Sequence, residues 1–401
     1  MRVISFLVLA LFFISPLKAQ DFIFLDEASF EDSTSILKLS LSREASSNAL
    51  TFGLINNFLF ADGFELENKE AFINADQERF NLKNQNAFGV SQLLGNGTTQ
   101  HAFSLSYQAE WYASASKKLA EMALFGNAHL AGMSINSKNT ELLNISSLSL
   151  SYERRMNLNK SWEIGWRVGL DFYEDLQQYR ADEVFFLTEE QGSYIDFSSS
   201  DLRFYSSSDY WDGIGLHLGM SFKYKKEKSE FSFSTGKIRL AFLNQEKQYQ
   251  IDTSFRFEGL ELSGADLLNG NITELTDSLI DQFLYSNVNE KSWQILPVPV
   301  YLGYMHTLNP DHKIGAQLSA ISLGQYGWEL RLIDQIKLAP TFSLRSSLAY
   351  GDFTGISWLE EAEYVHQDKY HFYLGLAGIQ GLFLKDQAGH YGLSAGFAVS
   401  L

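Results

Sequence analysis

The stretch Gly213-Ile214-Gly215-Leu216-His217-Leu218-Gly219-Met220-Ser221-Phe222-Lys223-Tyr224 decides the fold. Ile214, Leu216, Leu218, Met220, Phe222 and Tyr224 form one set, and Gly213, Gly215, His217, Gly219, Ser221 and Lys223 the other. Side chains of a strand point alternately to its two faces, so this spacing specifies a strand with one greasy face and one small or polar face. The same split runs through Phe103, Leu105, Tyr107, Ala109, Trp111 and Ala113 against Ser104, Ser106, Gln108, Glu110, Tyr112 and Ser114. It returns at Trp162, Ile164, Trp166, Val168, Leu170 and Phe172 against Ser161, Glu163, Gly165, Arg167, Gly169 and Asp171. Weaker copies cover 37–41, 50–60, 148–152, 249–257, 298–306, 314–320, 328–332, 342–350, 370–382 and 391–401. Together they predict an all-β chain of about 14 strands, within a range of roughly 12 to 16.

Strand length separates a soluble sheet from a membrane one. Strands of a soluble sandwich run about 5 to 6 residues, whereas a tilted strand crossing hydrocarbon needs about 9 to 11; the clear segments are of the second kind. Trp162, Tyr224, Tyr350, Tyr370 and Tyr391 stand near strand ends, where aromatic girdles meet the two membrane interfaces. A sheet in lipid must close, because an open edge leaves backbone groups without partners. The expectation is therefore a transmembrane antiparallel β-barrel; the competing reading is a periplasmic sandwich or propeller.

Composition sets limits on chemistry. The 401 residues carry 31 basic and 48 acidic side chains, a net charge of −17, and no cysteine. Disulfide frameworks and thiolate metal sites are excluded, and a nucleic-acid partner is disfavoured because phosphate binding requires a basic surface. Arg2, the apolar run 3–14 and Ser15-Pro16-Leu17-Lys18-Ala19-Gln20 have the layout of a signal peptide over 1–19, cut before Gln20. Residues 20–35 then form a periplasmic segment or hatch, and 36–401 the barrel.

Two stretches break the alternation. Residues 116–133 gain helix formers up to Gly126, and Asn271-Ile272-Thr273-Glu274 opens a helical spacing that lasts to about 285. Either insertion caps a mouth, folds over an external loop, or obstructs the lumen. The polar stretches 68–84 and 175–210 read as extended loops.

Little in the chain suggests catalysis. Gly392-Leu393-Ser394-Ala395-Gly396 matches a nucleophile elbow only in spelling, since it sits in the last strand and no later acid or His follows it. Glu363, His366 and His371 lack the spacing of a single strand or helix face, so no metal site is expected there. His217 falls on a polar face between glycines, away from the lipid side where an outer-membrane lipase would work. The polar faces carry Glu110, Glu163, Arg167, Asp171, Lys223, Arg239, Arg331 and Arg345, which are expected to face the lumen. Mixed signs favour a lumen crossed by ion pairs over a one-sign ring that selects ions.

Lys18-Ala19-Gln20, the insertion Leu124-Phe125-Gly126-Asn127 with Leu130-Ala131-Gly132, and the Gly213 to Gly219 strand give the chain a family resemblance. It resembles outer-membrane β-barrels of Bacteroidota, related in architecture to PorP/SprF-type barrels that accompany type IX secretion and more distantly to FadL-type transporters of hydrophobic compounds. It departs from the usual barrel ending in Leu401, with Phe397 keeping an aromatic on that face. The resemblance implies a non-enzymatic outer-membrane protein of a Gram-negative envelope, structural or holding an exported or surface protein, and delivered to the assembly machinery through its last strand. The alternative it implies is a transporter or channel for small hydrophobic molecules, with the N-terminal segment as hatch and a lateral exit through the wall. No catalytic, cofactor or metal residue follows from it.

Overall fold

The computed structural model describes residues 35–51, 70, 72–74, 78–96, 98–125, 130–191, 194–207, 213–243, 246–257, 285–288, 292–323, 325–352, 355–367, 369–382 and 388–401. The expected signal peptide, the expected hatch up to residue 34 and, apart from Tyr285, the helix expected near 271–285 lie outside the described residues.

The first half comprises β1 (Ser35–Thr51), β2 (Arg79–Asn96), β3 (Thr99–Ser116), α1 (Lys117–Phe125), β4 (Ser134–Asn157), β5 (Trp162–Thr188), β6 (Ile195–Ser207), β7 (Gly213–Lys226), β8 (Ser229–Thr235) and β9 (Ile238–Leu243). The second comprises β10 (Glu246–Phe257), β11 (Tyr285–Val288), β12 (Ser292–Ile295), β13 (Pro299–Asn309), β14 (His312–Leu323), β15 (Gln325–Ala339), β16 (Phe342–Gly351), β17 (Gly355–His366), β18 (Tyr370–Ala377) and β19 (Ala388–Ser400). Each pairing is antiparallel, and β1 pairs with both β2 and β19, which closes the sheet. Several segments lie in line along a single neighbour. β6 and β7 both pair with β5, while β8, β9 and β10 face β13, β12 and β11 in turn. Taken as continuous staves, the segments form a closed barrel of 14 strands.

Period two becomes inside and outside. In β7 the even residues Leu216, Leu218 and Met220 are 49%, 56% and 58% exposed, while His217 on the other face is fully buried. With closure all around, the greasy set can only face the membrane and the polar set the lumen. Among the described residues no helix is long and apolar enough to cross a membrane. Aromatic contacts mark the interfaces. Trp162 stacks within 4.2 Å of Tyr224, and Phe231 lies 4.9 Å from Tyr304, near the end where β4–β5, β7–β8 and β13–β14 turn tightly. Trp328 and Tyr350, 5.7 Å apart, stand toward the opposite end.

Two expectations are corrected. Residues 175–210 are largely strand: β5 continues to Thr188 past a bulge at Glu174, and β6 returns beside it. Their Ser- and Asp-rich sequence resembles loop composition because this hairpin rises beyond the apolar band and needs no greasy face. Arg256, across from Asp196 in that overhang, bonds it at 2.7 Å and holds its carboxyl below the usual range. Within 68–84, β2 already begins at Arg79. The helix expected within 116–133 is present as α1, but outside the lumen. Its Ala120 packs with Phe72 onto Ala45, Ala49, Phe80, Leu82 and Ala113, which continue the outward-facing rows of β1, β2 and β3. An amphipathic nine-residue helix finds its apolar partner on the wall, so nothing draws it into a charged interior.

Candidate functional site

The lumen is lined by charge. Of the eight residues expected there, Arg239 forks onto Glu110 with two contacts of 3.1 Å, Arg167 Nε donates to Glu153 at 3.0 Å, and Asp171 accepts from His217 Nδ1 at 3.0 Å. Arg331 meets Glu329 at 2.9 Å, Arg345 meets Glu361 at 3.4 Å, and Lys223 meets Glu230 at 3.5 Å. Glu163 lies on the same inner face, in register with Lys223 at the tight-turn end.

Sequence reading missed Glu153, Glu329 and Glu361 among their partners, and Glu44, Lys83, Arg155 and His390 besides. Glu153 also accepts from Arg155 at 2.6 Å. Glu44 binds Lys83 at 3.1 Å and His390 at 3.3 Å, and Glu363 binds His371 at 3.0 Å. Parity could have found these residues, since each stands on the polar face of its strand. The bonds themselves depend on register and closure. Arg239 and Lys237 reach from β9 and its edge to β3, where Lys237 Nζ donates to Gln108 at 3.0 Å and to Ser149 on β4 at 2.9 Å. These bonds are chords across the interior, linking residues 129 apart in sequence.

One stretch of this network is ordered along three neighbouring strands. Ser151 on β4 is in register with Gly169 on β5, and Gly169 with His217 on β7. His217 Nε2 lies 3.0 Å from Ser151 Oγ, and its Nδ1 lies 3.0 Å from Asp171 Oδ1, an atom that also accepts from Ser149. A Cβ at position 169 would sit 2.5 Å from the imidazole, so the missing side chain is what lets His217 lie flat across β5 to reach Ser151.

Beside this network lies a cavity of about 270 Å³. Its wall joins apolar groups such as Ala102, Leu143, Ile145 and Ile321 to Ser104, Ser106, Ser151, Arg167, Lys237 and Arg239. Toward the long-loop end it is roofed by inward Tyr112, Leu143, Ile145, Tyr173, Leu176, Ala241 and Leu296, which pack on one another.

The ladder next to the cavity is interrupted, with isolated backbone bonds bridging the break. β7 pairs with β9 up to Leu218 and with β8 from Ser221, skipping Gly219 and Met220. Opposite, β12 ends at Ile295 and β13 starts at Pro299, leaving Gly236 N to Pro299 O at 2.6 Å and Leu296 N to Arg239 O at 3.1 Å. Pro297 and Pro299, which line the cavity, have no N–H to give to a ladder.

The remaining motifs take these positions. Ser394 lies buried inside β19, with no strand-to-helix turn. His371 faces in and His366 faces out, stacked 6.4 Å from Tyr364, so they do not share a site. Among the described residues no group of three His, Asp or Glu is placed to hold a metal ion.

Fold and interior define a class: a membrane-spanning antiparallel β-barrel with an ion-paired, partly hollow lumen. No family model and no curated protein matches the chain. Solved structures similar to it include a FadL homologue of Pseudomonas aeruginosa (11% identity, TM-score 0.47, 93% of this chain and 91% of that one) and the toluene transporter TodX of Pseudomonas putida (9%, 0.45, 93% and 91%). The toluene transporter TbuX of Ralstonia pickettii is another (9%, 0.44, 92% and 90%). Likeness at these values assigns no residue and no activity to this chain.

Proposed function

We propose that this barrel is an outer-membrane channel for small, largely apolar molecules, in an envelope reached through the signal peptide 1–19 and the assembly machinery that reads its last strand. The observation that supports the reading is the cavity of about 270 Å³ set against the interrupted ladder. A barrel held only by its ladder has no structural need for a hollow with an apolar flank, whereas a ligand site typically has that character. The chords from Lys237 and Arg239 oppose an open water pore, and the cluster of apolar side chains stands across part of the axial route. A lateral exit between β8–β9 and β12–β13 would let an apolar solute leave into the membrane without crossing the charged layer.

The test is entry of an environment-sensitive hydrophobic dye into Gram-negative cells with an intact outer membrane. Cells producing the barrel should take up the dye several-fold faster than cells without it, and Ser106→Phe, which fills the cavity, should bring the rate back towards background. Equal rates in all three strains would refute the channel.

A second reading keeps the chain as a holder of an exported or surface protein, as the PorP/SprF resemblance implies. The observation favouring it is the overhang of β4, β5, β6 and β10, whose strands of 24, 27, 13 and 12 residues continue beyond the apolar band. Co-purification of a large partner that is lost when 177–207 is shortened would support it.

A further inference from the structure

We propose that Ser151, His217 and Asp171 form a hydrolytic centre inside the barrel, acting on carboxylic esters of small amphiphiles that enter the cavity. Three features of the geometry carry this. First, the order of contacts is that of an activated serine: hydroxyl to Nε2 at 3.0 Å, Nδ1 to carboxylate at 3.0 Å. The Asp171 carboxylate can only accept, so Nδ1 carries the proton and Nε2 presents its lone pair to the Ser151 hydroxyl. Second, the base is fixed. His217 and Asp171 are fully buried, and the missing side chain at Gly169 gives the imidazole its one seat. Third, the nucleophile is reachable: Ser151 is half-buried and lines the cavity, while its two partners stand behind it.

Two other Ser–His contacts show what such a pair looks like without that access. Ser357 touches His390, which touches Glu44, but Ser357 is fully buried and does not line this cavity. Ser229 touches His306 at 3.1 Å near the tight-turn end, outside the cavity. Among the described residues only the Ser151 set joins an acid-backed imidazole to this cavity.

In the reaction, Ser151 Oγ attacks the ester carbonyl carbon while His217 Nε2 takes its proton. The carbonyl oxygen gains negative charge in a cavity whose wall carries Arg167, paired with Glu153, and Lys237, bonded to Gln108 and Ser149. Collapse breaks the carbon–oxygen bond to the alcohol, which leaves with the proton from His217, and Ser151 holds the acyl group. A water molecule then attacks, His217 takes one of its protons and returns it to Ser151, and the carboxylic acid departs. Water is the only co-reactant, and no electrons change hands.

The centre uses the cavity but not passage through it, so the two readings fail separately. The experiment treats the full-length folded barrel in detergent with an alkyl fluorophosphonate, which phosphonylates activated serines, and confirms folding by heat-modifiable migration. The expected result is a single adduct on Ser151 by peptide mass. It should be absent in Ser151→Ala, slowed at least tenfold in His217→Gln, and unchanged in Ser357→Ala, in parallel with release of p-nitrophenol from its butyrate ester. No adduct on folded wild-type protein, an adduct that persists in Ser151→Ala, or equal loss in folded Ser357→Ala would each overturn the proposal.

Discussion

Glu110 and Arg239 show how a charged residue survives inside this wall. Both are largely shielded from solvent, and the guanidinium meets both carboxylate oxygens while also donating to Gln108. Burying either charge alone is expensive, so removing one partner should cost about 3–5 kcal/mol, whereas replacing both with apolar groups costs far less. Glu110→Leu and Arg239→Met should each lower the urea midpoint for unfolding from lipid vesicles, and the double variant should lose much less than the sum of the two. Additive losses would mean that the pair contributes nothing as a pair. That such residues share one face of a strand was legible in sequence, from the alternation around Gln108 and Glu110. Their bonding was not. Nothing local in Arg239 says that it will meet a carboxylate 129 residues earlier, and nothing in Ser151 says that a glycine on the next strand opens its path to His217.

At the scale of elements, the long alternations survived translation into structure: 103–114, 162–172 and 213–224 lie in β3, β5 and β7 with their faces as read. Overhanging segments did not, because a strand beyond the bilayer has no lipid to demand an apolar face, and its composition converges on that of a loop. The interruption between β12 and β13 did carry a signal, Pro297-Val298-Pro299, since a proline has no N–H to give to a ladder. The lipid face of β7 offers a direct test. Leu218→Arg places a cation in the middle of that apolar row and should destabilise the barrel in vesicles by about 2–4 kcal/mol. On a water-facing sheet the same change would stay within about 0.5 kcal/mol, and such a small loss would argue against membrane exposure.

For the molecule as a whole, closure converts a two-residue period into a lumen and an exterior, and every functional statement depends on that conversion. The strand count was legible because each stave spans a layer of fixed thickness; the cavity was not, since it forms where chords, roof and interrupted ladder meet. The absence of cysteine makes the conversion measurable. Single cysteines placed one at a time from 214 to 222 can carry spin labels in protein reconstituted into bilayers, and collision with oxygen reports contact with lipid. Oxygen accessibility should rise at 214, 216, 218, 220 and 222 and fall at 215, 217, 219 and 221. A flat profile, or even-numbered positions open to a water-soluble relaxant instead of oxygen, would contradict the barrel and the functions built on its interior.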